Sequence, residues 1–372
     1  MIKSPKFWVG FSVSLLFLLL FFFPLPGTPL KKPLDFHEVG RFLSTANYLY
    51  VIPAIGSYFV AVGFRTLRWQ FLLKPLRPVP ARRLFPVIIV GYMANNLLPL
   101  RLGELVRVYY LGKKEPVSKS SALATVVVER VFDGLTLLFF VFMLAFTLPV
   151  VGLVQGLGES AGIPWILLAT VTVVPFFVAT GLLMLLSQAP GPALKLMNLL
   201  IARLPAGPRL KVSRVVELFI DGLRVLRSPR RILWVFAISL FVWLFEAFKY
   251  FLIGISFDLQ SSFIGWGEMA GAILLITATS NLATSLPSSQ GGVGPFEFFA
   301  AATLVLLGVG RSLASAYVVA LHVALLVPVT ILGLVILWSE NLSLPQLARQ
   351  RTVSSNHEFQ TTSIPVKRED SP

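Results

Sequence analysis

The sequence predicts an all-α polytopic membrane protein with about six full transmembrane helices and two re-entrant hairpins. Of its 372 residues, 56% are hydrophobic and only 13% are charged, which is too apolar for the surface of a soluble domain. The apolar residues occur in blocks long enough to cross a hydrocarbon core about 30 Å thick. Two further blocks are interrupted by proline and glycine, which membranes tolerate where the backbone is buried in protein or lines a cavity.

The composition excludes several kinds of site. The chain has no cysteine, so disulfides, thiolate metal ligands and cysteine nucleophiles are excluded. Its three histidines are scattered, and we predict neither a metal centre nor a cofactor. The net charge of +15 indicates basic cytoplasmic loops and contact with anionic lipid, not nucleic-acid binding.

Six apolar blocks are predicted to span the membrane. The first follows Lys3 and Lys6 and ends without a small-residue cleavage site, so we interpret it as an uncleaved span with its N-terminus inside. Each block is long enough to cross as a helix that rises about 1.5 Å per residue. The predicted spans are residues 7–23, 48–64, 122–149, 163–186, 232–257 and 312–338.

Basic loops set the predicted orientation in the cytoplasmic membrane. Residues 65–83, which include Arg65 and Arg68, carry basic but no acidic side chains, and residues 99–120 are also mainly basic. The positive-inside rule places both stretches in the cytoplasm, so the block at 84–98 enters from the inside and returns. The loop at 256–268 is acidic, so the block at 269–286 enters from the outside. Both termini are then cytoplasmic.

The two interrupted blocks share a pattern of Asn, then Leu-Pro, then Gly four residues after the proline, then Glu. Downstream of them, Arg130 and His322 occupy equivalent positions. Because the copies enter from opposite sides, we predict an inverted repeat with halves at 84–149 and 269–338, a pattern that marks a transporter's binding site. The predicted re-entrant turns contain Asn95, Asn96, Pro99 and Gly103 in the first copy, and Asn281, Pro287, Gly291, Gly292 and Gly294 in the second.

Charged residues inside a predicted span are the sharpest candidates for a site. Glu129, Arg130 and Asp133 share one side of a helix. The arginine could bind a lipid phosphate through its planar guanidinium while the acids orient it or carry protons. The alternative is a self-neutralising cluster that holds the helices together.

A second candidate site consists of three charged residues that follow the first interrupted block. Arg101, Glu104 and Arg107 are three residues apart, so they would share one face of a half-helix whose N-terminus favours an anion. The alternative is an ordinary cytoplasmic loop. The three glycines of the second turn either let the backbone approach a ligand or only allow helix packing.

Three other side chains are singled out by their place in or near the spans. Glu246 and Lys249, three residues apart, are interpreted as a structural ion pair. His322 is either proton-responsive or a satisfied core histidine. The segment 193–231 is predicted to be amphipathic on the inner leaflet, and residues 341–372 to form a disordered cytoplasmic tail after a membrane domain at 1–340.

These motifs together resemble a known family. Residues 98–104 with Arg107, then Glu129, Arg130 and Asp133, then the proline and glycines of the second turn with Glu297, resemble the lysylphosphatidylglycerol synthase transmembrane region, the flippase-like part of the multiple peptide resistance factors. The resemblance implies lipid translocation, with aminoacylated phosphatidylglycerol as cargo where a synthase domain is fused. Only a short polar tail follows Trp338, so a stand-alone member without synthase activity is expected. Similar stand-alone proteins are labelled glycosyltransferases or linked to polyprenyl lipids and hopanoids, which leaves the cargo open.

The sequence therefore allows three functions. The first is a flippase for an anionic phospholipid or a polyprenyl or other lipid; it would have no ATPase of its own, because the sequence has no phosphate-binding loop motif. The others are a membrane scaffold for a separate lipid-modifying enzyme and a polyprenyl-linked glycosyltransferase. Membrane lipids are the expected substrate, and no catalytic residue is assigned. The lipid-headgroup candidates are Arg101, Glu104, Arg107, Glu129, Arg130, Asp133, Glu297 and His322.

Overall fold

The computed structural model describes residues 5–23, 29–98, 102–148, 150–152, 154–155, 164–192, 194–195, 206–285 and 290–340. Regular secondary structure in these residues is helical. The main helices are α1 (Pro5–Phe22), α2 (Phe36–Thr45), α3 (Val51–Leu73), α4 (Ala81–Leu97), α5 (Gly103–Lys114), α6 (Lys119–Leu144), α7 (Trp165–Gln188), α8 (Ala206–Gly222), α9 (Pro229–Ser256), α10 (Trp266–Ala283), α11 (Pro295–Leu306) and α12 (Arg311–Ser339).

Several of these helices have the length and composition of membrane spans. Four qualify on both counts: Tyr48–Leu73, Trp165–Gln188, Pro229–Ser256 and Arg311–Ser339. The apolar part of α1 is shorter, and α6 has 26 residues but carries charged side chains in its middle. Large apolar side chains of these helices remain exposed, as expected of surfaces that face lipid. The chain is thus an all-α, multi-pass membrane protein, while the number of six full spans stays a prediction.

Contacts between helix termini define one end of the bundle. The Asn47 amide donates to the carbonyl of Ser256 at 2.9 Å, which joins the start of α3 to the end of α9. The Arg311 guanidinium, at the start of α12, donates to the carbonyls of Leu30 at 2.7 Å and Phe21 at 2.9 Å. The ends of α1 and α9 and the starts of α3 and α12 therefore lie together.

The opposite end gathers the other termini. Ser121 Oγ, near the start of α6, donates to the carbonyl of Leu218 at 2.8 Å, and Ser187 Oγ, near the end of α7, donates to that of Leu223 at 2.9 Å. Lys114 at the end of α5 forms an ion pair with Glu340 just after α12. This end collects most of the basic loops from which the cytoplasmic side was predicted.

The two interrupted blocks form helical hairpins that enter the bundle from opposite ends. In the first hairpin (α4 and α5), Arg83 beside the start of α4 is 2.9 Å from Glu115, just after α5, so both arms meet at the end where α12 finishes. In the second (α10 and α11), Leu259 before α10 and Val309 after α11 share one apolar cluster at the end where α12 begins. The hairpins thus start from opposite ends of the bundle; entry from opposite sides of the membrane, and which end is cytoplasmic, stay predictions.

The packing between the halves supports the predicted repeat. The first arm of each hairpin packs against the long helix of the other half, so that α4 contacts α12 and α10 contacts α6. The second arm of each packs against the helix that follows it, α5 on α6 and α11 on α12. This exchange is the contact pattern of two halves related by a pseudo-two-fold axis.

One boundary predicted from the sequence is wrong. The second span does not end at residue 64, because α3 continues to Leu73 and carries Arg65 and Arg68 into the bundle, where they are 8% and 0% exposed. The sequence pattern instead predicts that both arginines belong to the basic cytoplasmic loop at residues 65–83. They are stable in the bundle because carboxylates of other helices neutralise them, at Glu246 for Arg65 and at Glu129 for Arg68.

The amphipathic segment also differs from its prediction in part. α8 does not only lie on a surface: a Cβ at Gly222 would be 2.4 Å from the carbonyl oxygen of Ser121, so α8 packs tightly on α6. Among the apolar residues of the predicted amphipathic segment, Leu226 is buried, while Leu210 and Val215 are exposed. The predicted tail at 341–372 lies outside the described residues.

Candidate functional site

A cavity of about 500 Å³ lies where the tips of the two hairpins meet. This volume is in the range of small-molecule binding sites, roughly 300–1,000 Å³. α3, α6, α7, α9 and α12 complete its walls. The hairpins contribute Asn95, Asn96, Glu104, Asn281, Leu282, Thr284, Ser285, Gly291, Gly292 and Phe296 to its lining.

Asparagines stabilise the first hairpin tip, where the helical backbone is interrupted. Asn95 Oδ1 accepts a hydrogen bond from the Gly103 amide at 2.8 Å, which caps the second arm. Asn96 Nδ2 donates to the carbonyl of Leu326 at 3.2 Å and to Thr330 Oγ1 at 2.9 Å, so the tip is tied to α12. Pro99 and Arg101 lie outside the described residues.

The glycines of the second tip serve two purposes. Gly291, Gly292 and Gly294 have φ of 67°, 79° and 100°, a region that side chains with a Cβ rarely adopt. Gly291 and Gly292 line the cavity. A Cβ at Gly294 would lie 2.5 Å from the carbonyl oxygen of Ser14, so this glycine allows α1 to pack on the turn. Two of the glycines therefore line the cavity and the third allows helix packing, while approach of the backbone to a ligand stays a prediction. Pro287 lies outside the described residues.

The predicted cluster on α6 is neutralised by arginines from other helices. Arg68 on α3 lies 3.1 Å from Glu129 and 2.7 Å from Asp133, and Arg107 on α5 pairs with Glu129. Arg68 and Glu129 have no exposed side-chain surface. Glu129 and Asp133 are thus each matched by a buried arginine, as the structural interpretation expects, while Asp133 also lines the cavity.

Arg107 lies apart from the cavity, contrary to its predicted place beside Glu104 on a ligand-facing half-helix. Its guanidinium carbon is 4.4 Å from the ring centroid of Trp69, and its side chain is 2% exposed. The difference arises because Arg107 turns toward the carboxylate of Glu129 in the helix interface. Glu104, three residues earlier, does line the cavity.

Arg130 is the accessible arginine of the α6 cluster. Its side chain is 30% exposed and lies 3.4 Å from Glu104 and 3.0 Å from Asp133. Its Nε faces Glu104, and one of its terminal nitrogens faces Asp133. The exposed part of the Arg130 guanidinium lines the cavity wall, where an anion could contact it.

Residues outside the predicted site form the facing wall. Arg65 lies 2.9 Å from Glu246 and donates to Tyr92 Oη at 3.0 Å, and its guanidinium carbon is 5.2 Å from the ring centroid of Trp243. The predicted Glu246–Lys249 ion pair is confirmed. Sequence reasoning missed Arg65 as a site residue because it was assigned to a loop. The apolar residues that continue to Leu73 were the signal that could have placed it in α3.

The second hairpin carries an acid–base pair that matches the first. Glu297, near the start of α11, contacts His322 Nδ1 on α12, and its other oxygen accepts from the Gly294 amide at 2.7 Å. His322 Nε2 is 3.2 Å from the carbonyl oxygen of Gly291. Glu104 and Arg130 have the same arrangement in the first half, an acid at the start of the second arm facing a base on the following helix. The predicted equivalence of Arg130 and His322 agrees with this geometry.

The chain is similar to a family of membrane proteins over most of its length. Residues 7–333 match the family described as the lysylphosphatidylglycerol synthase TM region. A UPF0104 membrane protein of Methanothermobacter thermautotrophicus is 27% identical over 75% of this chain and 82% of its own length. Another, of Methanocaldococcus jannaschii, is 25% identical over 78% of this chain and 82% of its own length. The glycosyltransferase AglD of Haloferax volcanii is 25% identical over 71% of this chain but 44% of its own length. No solved structure matches.

Proposed function

The chain belongs to the lysylphosphatidylglycerol synthase TM region family, and on that premise we propose that it translocates an anionic lipid across the cytoplasmic membrane. The cavity between the two hairpin tips is the observation that carries this proposal. It combines interrupted helices, which line the sites of transporters, with an accessible arginine, which suits a phosphate.

The cavity offers a lipid two kinds of surface. The exposed part of the Arg130 guanidinium provides donors for the phosphate of a headgroup, and the side chain of Asn95 lines the same cavity. Pro175, Phe176 and Ala179 of α7 line another part of the wall, and most of the apolar residues of α7 are exposed toward the lipid side. A headgroup inside the cavity with acyl chains beside α7 would remain solvated in both parts during crossing. Transport would then proceed by alternate opening of the two hairpins around the fixed site.

The test is lipid translocation by the purified protein in liposomes. Vesicles contain phosphatidylglycerol labelled on an acyl chain, and a membrane-impermeant reductant then quenches only the outer leaflet. Wild-type protein should make the inner-leaflet label accessible faster than in protein-free vesicles. Arg130→Ala should slow this at least about tenfold, since a hydrogen bond to a charged group contributes about 1.5–3 kcal/mol.

The control for Arg130→Ala is Arg41→Ala, which removes an arginine on α2 whose side chain is 61% exposed. This variant should translocate at the wild-type rate. Wild-type protein that accelerates no anionic lipid would refute the proposed function. Arg130→Ala that is folded and as fast as wild type would refute only the assignment of the headgroup site.

AglD motivates the alternative of a lipid-linked glycosyltransferase. This chain aligns with less than half of AglD, so the glycosyltransferase activity in that protein's name is weaker support than the family match. Labelled glycosyl donor and polyprenyl phosphate, incubated with purified protein, distinguish the two. A glycolipid product would favour the transferase, and translocation without product favours the transporter.

A further inference from the structure

The geometry of the Glu297–His322 pair provides a place for a proton. Both ring nitrogens of His322 face oxygen atoms, one of Glu297 and one of the Gly291 carbonyl. A carbonyl oxygen only accepts hydrogen bonds. If Glu297 is ionised, both contacts need a doubly protonated imidazole; if Glu297 is protonated, it donates to Nδ1 while Nε2–H donates to Gly291. Either way, the pair carries one proton more than an ionised glutamate beside a neutral histidine.

The same proton decides the net charge around the cavity. With every ion pair counted as charged, the cavity and its supporting cluster contain the cations Arg65, Arg68, Arg107, Arg130 and Lys249. They are balanced by the carboxylates Glu104, Glu129, Asp133, Glu246 and Glu297. These described charges cancel while His322 is neutral. Protonation of the pair leaves one net positive charge, which matches the single negative charge of a phosphodiester.

The position of the pair couples its charge to the shape of the site. His322 belongs to α12, whereas Gly291 belongs to the second hairpin tip, where φ is 67°. Loss of the proton leaves one imidazole lone pair facing an oxygen, so one of the two contacts must break. The pair therefore links protonation to the anchoring of the turn that lines the cavity.

Groups from every helix around the cavity face the pair. α1 contributes Ser14 to the turn, and α10 and α4 contribute the amides of Asn281 and Asn96 to the cavity. α9 contributes Tyr250, whose ring is 6.3 Å from Phe296. The charged groups across the cavity are Arg65, Glu104, Arg130, Asp133 and Glu246, and Tyr58 and Tyr92 also line it. Histidine is the side chain whose ordinary pKa, about 6.5, lies near physiological pH.

We propose that the Glu297–His322 pair is a proton-binding site coupled to the lipid site, so that an anionic lipid and a proton bind and cross together. This inference rests on the proposed function and adds its coupling ion. The proton comes from water, resides between Glu297 Oε1 and His322 Nδ1, and returns to water after the lipid leaves. By linkage, lipid binding must strengthen proton binding as much as the proton strengthens lipid binding.

Titration calorimetry of the full-length protein in detergent with dioctanoyl phosphatidylglycerol tests the coupling. Measurements in two buffers of different ionisation enthalpy count the protons taken up on binding. Wild type should take up close to one proton at high pH, with Kd rising up to about tenfold per pH unit above the pKa of the pair. Uptake should fall toward zero at low pH, where the pair is already protonated.

Three variants locate the proton. His322→Gln should bind the lipid weakly, with no proton uptake and no pH dependence. His322→Arg places a permanent positive charge at this position, like that of Arg130. This variant should bind the lipid without proton uptake and should keep its lipid affinity at high pH. His37→Gln, at an exposed histidine of α2, should behave as wild type.

The two proposals fail differently. Wild-type protein that binds and translocates phosphatidylglycerol without proton uptake, between about pH 6 and pH 8 around the ordinary pKa of histidine, overturns the coupling and leaves the proposed function standing. Proton uptake that persists in His322→Gln overturns the assignment to this pair. Protein that neither binds nor translocates any anionic lipid overturns the proposed function itself.

Discussion

Arginines of this protein differ in what their burial allows them to do. Arg68 has no exposed side-chain surface and lies between Glu129 and Asp133, so its charge is neutralised inside the bundle. Arg130, on the same helix as both acids, is 30% exposed at the cavity. A buried, matched arginine contributes to folding, whereas a partly exposed one at a cavity wall can bind a ligand.

Arg68→Ala is expected to destabilise the fold. The change leaves Asp133 without one arginine partner and Glu129 dependent on Arg107, and a buried charge without its partner costs about 3–5 kcal/mol. The free energy of unfolding in detergent, from denaturant or thermal titration, should fall by that amount. Arg214→Ala, at a side chain that is 68% exposed, should change it by less than about 1 kcal/mol. Equal stability of the two variants would contradict the structural role of Arg68.

At the level of elements, the hairpins depend on close contact between their arms. A Cβ at Gly103 would lie 2.0 Å from the carbonyl oxygen of Gly91 and 2.5 Å from the amide nitrogen of Asn95. Those atoms are backbone of α4 and cannot rotate away. Glycine at position 103 is therefore required by the approach of α5 to α4, and that approach also brings Glu104 to the cavity wall.

Gly103→Ala is expected to separate the arms of the first hairpin. The thermal midpoint in detergent should drop, and lipid translocation should slow because Glu104 and Arg130 lose their relative position. Gly56→Ala on α3 is the matched control, since a Cβ there would meet nothing within 4 Å. The control should be neutral or slightly stabilising, because alanine favours a helix over glycine by up to about 1 kcal/mol. A wild-type midpoint in Gly103→Ala would show that the hairpin adapts.

At the scale of the whole molecule, the two halves form one cavity that neither could form alone. Each hairpin contributes its tip from its own end of the bundle, and each first arm packs on the long helix of the other half. The corresponding acid–base pairs differ in one respect: Glu104 faces a permanently charged arginine, while Glu297 faces a histidine. The two halves therefore carry similar pairs, but the base of the first pair is always charged and the base of the second is a histidine, whose charge depends on protonation.

The orientation of the halves in the membrane can be tested by labelling single cysteines, because the chain has none of its own. Lys113→Cys, at the exposed end of the first hairpin, should react with impermeant maleimide only after the cells are opened. Ser261→Cys, at the other end of the bundle, should react in intact cells. Lys113→Cys that is labelled from outside would contradict the predicted cytoplasmic entry of the first hairpin.

The sequence by itself determined the class of protein and the location of its interrupted helices. Hydrophobic block length and the proline–glycine breaks are local properties, and they sufficed to predict helices, two hairpins and the equivalence of Arg130 with His322. The family resemblance of the motifs is likewise carried by short stretches, and the match over residues 7–333 confirms it.

Only the tertiary structure decided which charges are structural and which face the cavity. Arg65 and Arg68 resemble loop residues in the sequence, because the carboxylates that neutralise them lie on α6 and α9, more than sixty positions further along the chain. Arg107 and Glu104 are neighbours on one helix, yet one is buried and the other lines the cavity. The burial of a charge depends on partners brought together by packing, and a linear pattern does not contain that information.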